Sequence, residues 1–339
     1  MKRLLRIVAL PVLLLAVLIG IALASGADRP PLVPPSFGEG FGERWHDGKA
    51  ELAGYALRYP RYGQMREGTA VTIFVTEPFS KATRVKPELG RGDADDRFEV
   101  VKLNLVEDFP TGVYDYNMMT SVFVSTEPVM RRPAGSAVKV SFSSQEWCGH
   151  VYHQALLDES KVRETWHSYF DGEADGERRL DLPAGATAED ALFHWARGLA
   201  APRLEPGESR EVALMRSLAV SRLRHVPVEW DAATLSRSEG TGTIEVPAGE
   251  FEVVRYTAEV APTRTEKLYG RGKVAMPGRS WRFDVEADPP HRIVRWSRSD
   301  GVEAELLGSA RMPYWQLNAE GGEKALEEIG LEPRGERMP

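Results

Sequence analysis

From Trp45 onward, the dominant pattern is an apolar residue at every second position. AVTIFVTE (70–77) is rich in β-branched residues. RFEVVKLNLVEDF (97–109) sets Val101, Leu103 and Leu105 against Lys102 and Asn104. SAVKVSFSSQEW (136–147) sets Val138, Val140 and Phe142 against Lys139 and Ser141. Period-two alternation predicts antiparallel strands with one buried face and one wetter face. The second half continues the pattern. GTIEVPAGEFEVVRYTAEV (242–260) predicts a hairpin around Pro247-Ala248-Gly249-Glu250, because proline pre-sets a turn torsion and glycine permits a positive φ. SWRFDVEAD (280–288) is a further strand. HRIVRWSRSDGVEAELLGS (291–309) predicts a hairpin about Asp300-Gly301, a pair that suits a type I′ turn.

Helical spacing is scarce. Thr187 as N-cap, acidic Glu189 and Asp190 in the first turn, and Leu192, Trp195, Ala196 and Leu199 on one face predict a helix over 187–199. EKALEEIGL (323–331) predicts a short helix, and ALMRSLAVSR (213–222) fits a helix or a buried strand equally. The expected fold is mostly β: a large curved antiparallel sheet, a half-barrel or open barrel, with one or two helices. The expected organisation is a linker at 25–44, a β-rich domain at 45–312, and a tail with a short helix at 313–339. Helix 187–199 would either divide lobes 45–186 and 200–312 or, the preferred arrangement, lie in the concave side of one long sheet. No repeat of fixed period is present.

The N-terminus changes the picture. Lys2, Arg3 and Arg6 precede an apolar run from Ile7 to Leu23, and Ala22-Leu23-Ala24 presents small residues where a signal peptidase reads. Residues 1–24 are expected to be a signal peptide cleaved before Ser25, with an uncleaved membrane anchor as the competitor. The protein would be periplasmic or secreted, touching a membrane only through that segment. Removing it takes the formal net charge from −7 to about −10. That sign excludes a nucleic-acid binder, since phosphate neutralisation needs clustered Lys and Arg. A single cysteine excludes an internal disulfide, so stability must come from a core.

That cysteine lies in SSQEWCGHVYHQ (143–154). As a continuous strand this segment puts Glu146, Cys148, His150 and Tyr152 on one face, with Trp147, Val151 and His153 on the other. Cys148 and His150 could then pair as nucleophile and base, or as two metal ligands, with Glu146 or His153 assisting. A free cysteine is more commonly a small buried hydrophobe. YDYNMMTSVFV (114–124) offers Tyr114, Tyr116, Met118 and Met119 as walls of an apolar groove, which Trp147 and His153 would extend. Asp93, Asp95 and Asp96 lack the spacing of a calcium loop and read as a solvated acidic turn. Gly-x-Ser-x-Gly, His-Glu-x-x-His and Gly-x-x-x-x-Gly-Lys are all missing, and no cofactor is implied.

With SSQEWCGH (143–150), the tyrosine–methionine segment around 115–123, and Trp45 with Gly48 to Leu52, the chain resembles a family of exported bacterial proteins of unknown function. Some members carry the label "septum formation inhibitor Maf". That label implies a cytosolic α/β nucleotide pyrophosphatase, which the β alternation and export-type N-terminus make inapplicable here. HWARGL (194–199) followed by the Val-Pro-Ala-Gly-x-Phe hairpin is similar to periplasmic β proteins of unknown function. Their style is that of the lipoprotein-carrier half-barrels, a curved sheet with an apolar concave face. The resemblance implies a non-enzymatic protein that binds an apolar ligand such as a lipid, or an envelope protein. Its concave face would include parts of 114–124, 142–153 and 281–296. The alternative is an enzyme or metal protein centred on Cys148 and His150.

Overall fold

The alternation is realised as a long antiparallel meander. The computed structural model describes residues 32–333 apart from Ser36, Glu39, Leu89, residues 91–92 and residues 268–271. The expected signal segment lies outside the described residues. In chain order, helix α1 (Phe41–Trp45) precedes strands β1 (Ala50–Arg61), β2 (Gln64–Ser80), β3 (Arg97–Pro110), β4 (Asp115–Ser125), β5 (Ala137–Glu146), β6 (Gly149–Leu157), β7 (Lys161–Ser168) and β8 (Asp175–Asp181). Then come β9 (Ala186–Ala188), helix α2 (Leu192–Ala196), β10 (Ser209–Met215), helix α3 (Leu218–Arg224), β11 (Trp230–Val246) and β12 (Gly249–Val260). The chain continues with β13 (Thr263–Glu266), β14 (Lys273–Met276), β15 (Arg279–Glu286), β16 (Ile293–Arg298) and β17 (Glu303–Met312).

Fifteen strands form one sheet in the order β8-β7-β6-β5-β4-β3-β2-β1-β17-β16-β15-β12-β11-β10-β9. β13 and β14 make a separate hairpin, and β9 pairs parallel with β10. The fold is mostly β, as the alternation predicts. β1 joins the halves by pairing with β2 on one side and β17 on the other. The sheet curves far enough for the edge strand β8 to reach the start of β11, two strands in from the other edge, through side chains. Arg178 of β8 donates to the Val228 carbonyl, and Trp230 Nε1 donates to the Asp181 carbonyl at 2.9 Å. The ladder itself stays open there.

Inside the curve runs the segment from Glu189 to Ala201. Phe193 meets Trp281, Phe283 and Trp296 edge-on at 5.1–5.9 Å, which ties it to the second half. His194 reaches the first half through the Val101 carbonyl (3.1 Å) and the Phe74 ring. Burial holds the His194 imidazole neutral, with its pKa lowered to about 3. The concave side is therefore filled by the chain's own helices rather than left as an apolar groove.

Several local expectations change. Thr187 is the centre of β9 and caps nothing. Glu189 and Asp190 cap a different helix: the Ser217 and Leu218 amides donate to them at 3.1 and 3.2 Å at the start of α3. ALMRSLAVSR divides at Arg216-Ser217 into strand and helix. Residues 323–331 fall largely in a 3-10 helix, Gly322–Ile329. The 247–250 hairpin forms as predicted. The hairpin at Asp300 forms with positive φ on Gly301 alone (101°), so it is not type I′, which needs two such residues. A turn with that signature does occur at Tyr62-Gly63 (φ 56° and 72°), closing β1 onto β2.

Candidate functional site

SSQEWCGHVYHQ is two strands rather than one. Glu146 pairs with Gly149, and Trp147-Cys148 is the two-residue loop of the β5–β6 hairpin. The reading that put Glu146, Cys148 and His150 on one strand face is thereby corrected. The turn resets the alternation, leaving His150 exposed opposite Gln145. Cys148 is exposed, and its amide donates to Glu146 Oε2 at 2.8 Å. A hydrogen bond to the Glu146 carboxylate, and that group's charge, push the thiol pKa up. An activated nucleophile needs the opposite shift. Alkylation of the native protein is expected to reach Cys148 readily but to be half-maximal in rate above the ordinary thiol pKa of about 8.5. A midpoint nearer neutrality in an iodoacetamide pH–rate profile would contradict this. Among the described residues, no group of three or more His, Cys, Asp or Glu converges to hold a metal. Asp96 is occupied by the Ser80 hydroxyl and the Ala82 amide.

The expected ligand residues separate. Tyr116 lies in a ring stack from the interior outward, with Phe109 at 5.3 Å and Tyr59 beyond it. Tyr114 then links Tyr116 to Trp147, each at 6.1 Å. Met118 is core, whereas Met119 lies on the outer face, 40% exposed. His153 is buried and hydrogen-bonds Glu164 at 2.7 Å, which also holds Arg178. It lines a separate cavity of about 50 Å³ beside Ser221 and Trp166.

Two acids in the interior carry clearer shifts. Glu107 and Asp190 line a hollow of about 20 Å³ with Thr120, Ser217 and Arg298. Burial raises Glu107 to about 7 and Asp190 to about 6. The signal for Glu107 was present in the sequence: it occupies the inward register of β3 between Leu105 and Phe109.

The strongest ligand geometry lies at the opposite end of the sheet from the cysteine hairpin. A cleft of about 410 Å³ opens between the N-terminal arm, the end of α2, and β11, β12 and β15. Phe41, Trp195, Leu199, Leu204, Tyr256 and Val285 supply apolar wall, with Trp195 edge-on to Tyr256 at 5.3 Å. Arg197, Arg203, Arg237 and His291 face it against one acid, Glu286, which pairs with Arg292. Arg197 is fully engaged, by Glu51 at 2.6 Å and by the Pro290 and His291 carbonyls. Burial would raise the Glu51 carboxyl, but Arg197 and Arg44 outweigh it and hold the pKa low. Arg237 is only partly engaged. It donates to the Leu204 carbonyl at 3.0 Å and lies 5.9 Å from the Tyr256 ring, while its buried Nε has no partner. A volume above about 300 Å³ and a few polar groups on apolar walls are the usual attributes of a ligand site. These residues are scattered from 41 to 291, so only the topology joins them. No protein-family model, curated protein or solved structure matches the chain.

Proposed function

We propose that this chain is an exported, non-enzymatic binding protein of the cell envelope, and that its cleft holds an amphiphile with an apolar body and an anionic head. The observation that carries the reading is Arg237, a guanidinium with an unpartnered buried Nε on the wall of an aromatic cleft of about 410 Å³. An anion in the cleft would give a charge-assisted partner to a guanidinium otherwise held by the Leu204 carbonyl. The aromatic walls suit an acyl or ring-bearing body. Export is supported by the basic and apolar N-terminal pattern. Among the described residues, no helix is long and apolar enough to cross a membrane.

Laurate and dodecyl phosphate are suitable probes, with dodecanol as the uncharged control. Both anions are expected to bind saturably, quenching tryptophan emission through Trp195, and dodecanol to bind more weakly. Arg237→Met is expected to weaken the anions about tenfold, close to 1.4 kcal/mol, with the melting temperature unchanged. Equal affinity for anion and alcohol, or no saturable binding, would remove the reading.

A further inference from the structure

β1 to β8 form an uninterrupted antiparallel meander, so the β1–β2, β3–β4, β5–β6 and β7–β8 turns lie at one end of the sheet. Each presents a large apolar side chain to solvent: Tyr62 is 56% exposed, Val113 80%, Trp147 77% and Tyr169 67%. At the other end, the β2–β3, β4–β5 and β6–β7 connections present only Val85 among their described residues. The tips form a continuous rim. The Tyr62 and Tyr114 hydroxyls are 3.3 Å apart, Tyr114 stacks on Trp147, and the Tyr169 ring takes the space that a Cβ on Gly149 would need.

Two features select the occupant. Successive tips sit two strands apart, about 10 Å, so four of them make a protruding row about 30 Å long. A protruding row of joined tips suits a deformable surface better than a concave protein face, and Trp and Tyr are the side chains that settle at bilayer interfaces. Acids are the solvent-facing charges beside the tips: Asp115, Glu146, Asp171 and Asp175 flank them, the last bound to His167, while Arg61 is drawn onto the Tyr62 and Tyr116 rings at 4.6 and 4.9 Å and Arg222 onto the Phe170 ring at 4.1 Å. Acids beside aromatic faces attract ammonium groups and repel anionic headgroups. We propose that this rim docks on a phospholipid bilayer with zwitterionic headgroups, its aromatic tips seated among the ammonium-bearing heads.

The test is flotation of the full chain with phosphatidylcholine–phosphatidylethanolamine vesicles and with phosphatidylglycerol-rich vesicles, at low and high salt. Zwitterionic vesicles are expected to carry the protein at both salt levels, and the anionic ones to carry less of it at low salt. Brominated acyl chains are expected to quench Trp147 emission, as judged against Trp147→Ser. The double variant Trp147→Ser, Tyr169→Ser is expected to lower partitioning about tenfold without moving the melting temperature, since both side chains are exposed. Arg237→Met is expected to float like the parent, which separates this surface from the cleft. Binding that requires phosphatidylglycerol and is lost in salt would overturn the proposal. So would an absence of binding to either vesicle, including the case in which the tips instead drive self-association detectable by sedimentation velocity.

Discussion

Replacing Arg216 with methionine is expected to destabilise the fold by about 3–5 kcal/mol, the range for breaking a buried ion pair from one side. Arg216 is fully buried at the junction of β10 and α3. Its guanidinium donates to both Asp231 oxygens, at 2.8 and 3.2 Å, and to the Pro227 carbonyl at 2.7 Å. Arg279 is the second cation of the group, reaching Asp231 at 2.8 Å and Glu189 at 2.5 Å. Trp281 Nε1 and the Ser217 amide complete the Glu189 carboxylate. Burial would raise Glu189, but the bond and charge of Arg279 outweigh it and keep the acid ionised. A fully buried cation, Arg216, and a partly buried one, Arg279, thus balance two buried carboxylates, with Glu229 at the exposed edge. Methionine preserves much of the volume and removes one charge, so the loss reports electrostatics rather than a cavity. Urea unfolding measures it directly. The double variant Arg216→Met, Asp231→Asn is expected to be less destabilised than the sum of the single variants by about 1–3 kcal/mol. Additive single variants, or a cost below about 1 kcal/mol, would show that the group does not hold the inner segment to the sheet.

That network also marks where reading the sequence stops. Alternation located β3, β5, β12, β15 and both predicted hairpins of the second half, because their inward residues are large and apolar and their outward ones charged. It passed over β1, whose AELAGYALRYPR alternates weakly; its Gly54 is small because the Ile329 backbone lies against it. It ran through the β5–β6 turn, since Trp-Cys is not a pair that turn chemistry favours. Glu189 and Asp190 had the position of acids at a helix start, and nothing local shows that their partners are Ser217, Leu218 and Arg279. Arg216 inside an apolar run was a visible anomaly whose partner Asp231 lies on the next strand. The cleft was illegible for the same reason: Phe41, Trp195, Arg237 and Val285 meet only through the crossing of the Glu189–Ala201 segment beneath the sheet.

Stability is expected to peak at mildly acidic pH and to fall by about 2–3 kcal/mol between pH 4.5 and 7.5, a change set by the interior groups. Burial is the chief cause of the Glu107 shift, from an ordinary 4.5 to about 7; Asp300, Asp108 and Asp190 add to it and Arg298 opposes it. Burial likewise takes Asp190 from 3.8 to about 6, against the Ser217 hydroxyl and with Glu189 adding. Within those windows the folded chain keeps protons that the unfolded chain has released, so each rise in pH favours unfolding. His194 works the other way. Lowered from 6.5 to about 3, it favours unfolding as pH falls through that window. One histidine therefore offsets one of the two acids, leaving a net slope of about one proton, or 1.4 kcal/mol per pH unit, below pH 6. Below about pH 4, protonation of Glu51 and Glu189, both held low by arginines, reverses the trend. Glu107→Gln isolates the largest contribution. It is expected to be more stable than the parent by about 3 kcal/mol at pH 7.5, to match it near pH 4.5, and to show a nearly flat profile between. Urea midpoints at a series of pH values decide the matter. A parent profile that rises steadily from pH 5 to 8, or a pH-independent gap between the two proteins, would mean that Glu107 is ionised inside the fold. The hollow it shares with Asp190 and Thr120 would then have to hold solvent enough to support that charge.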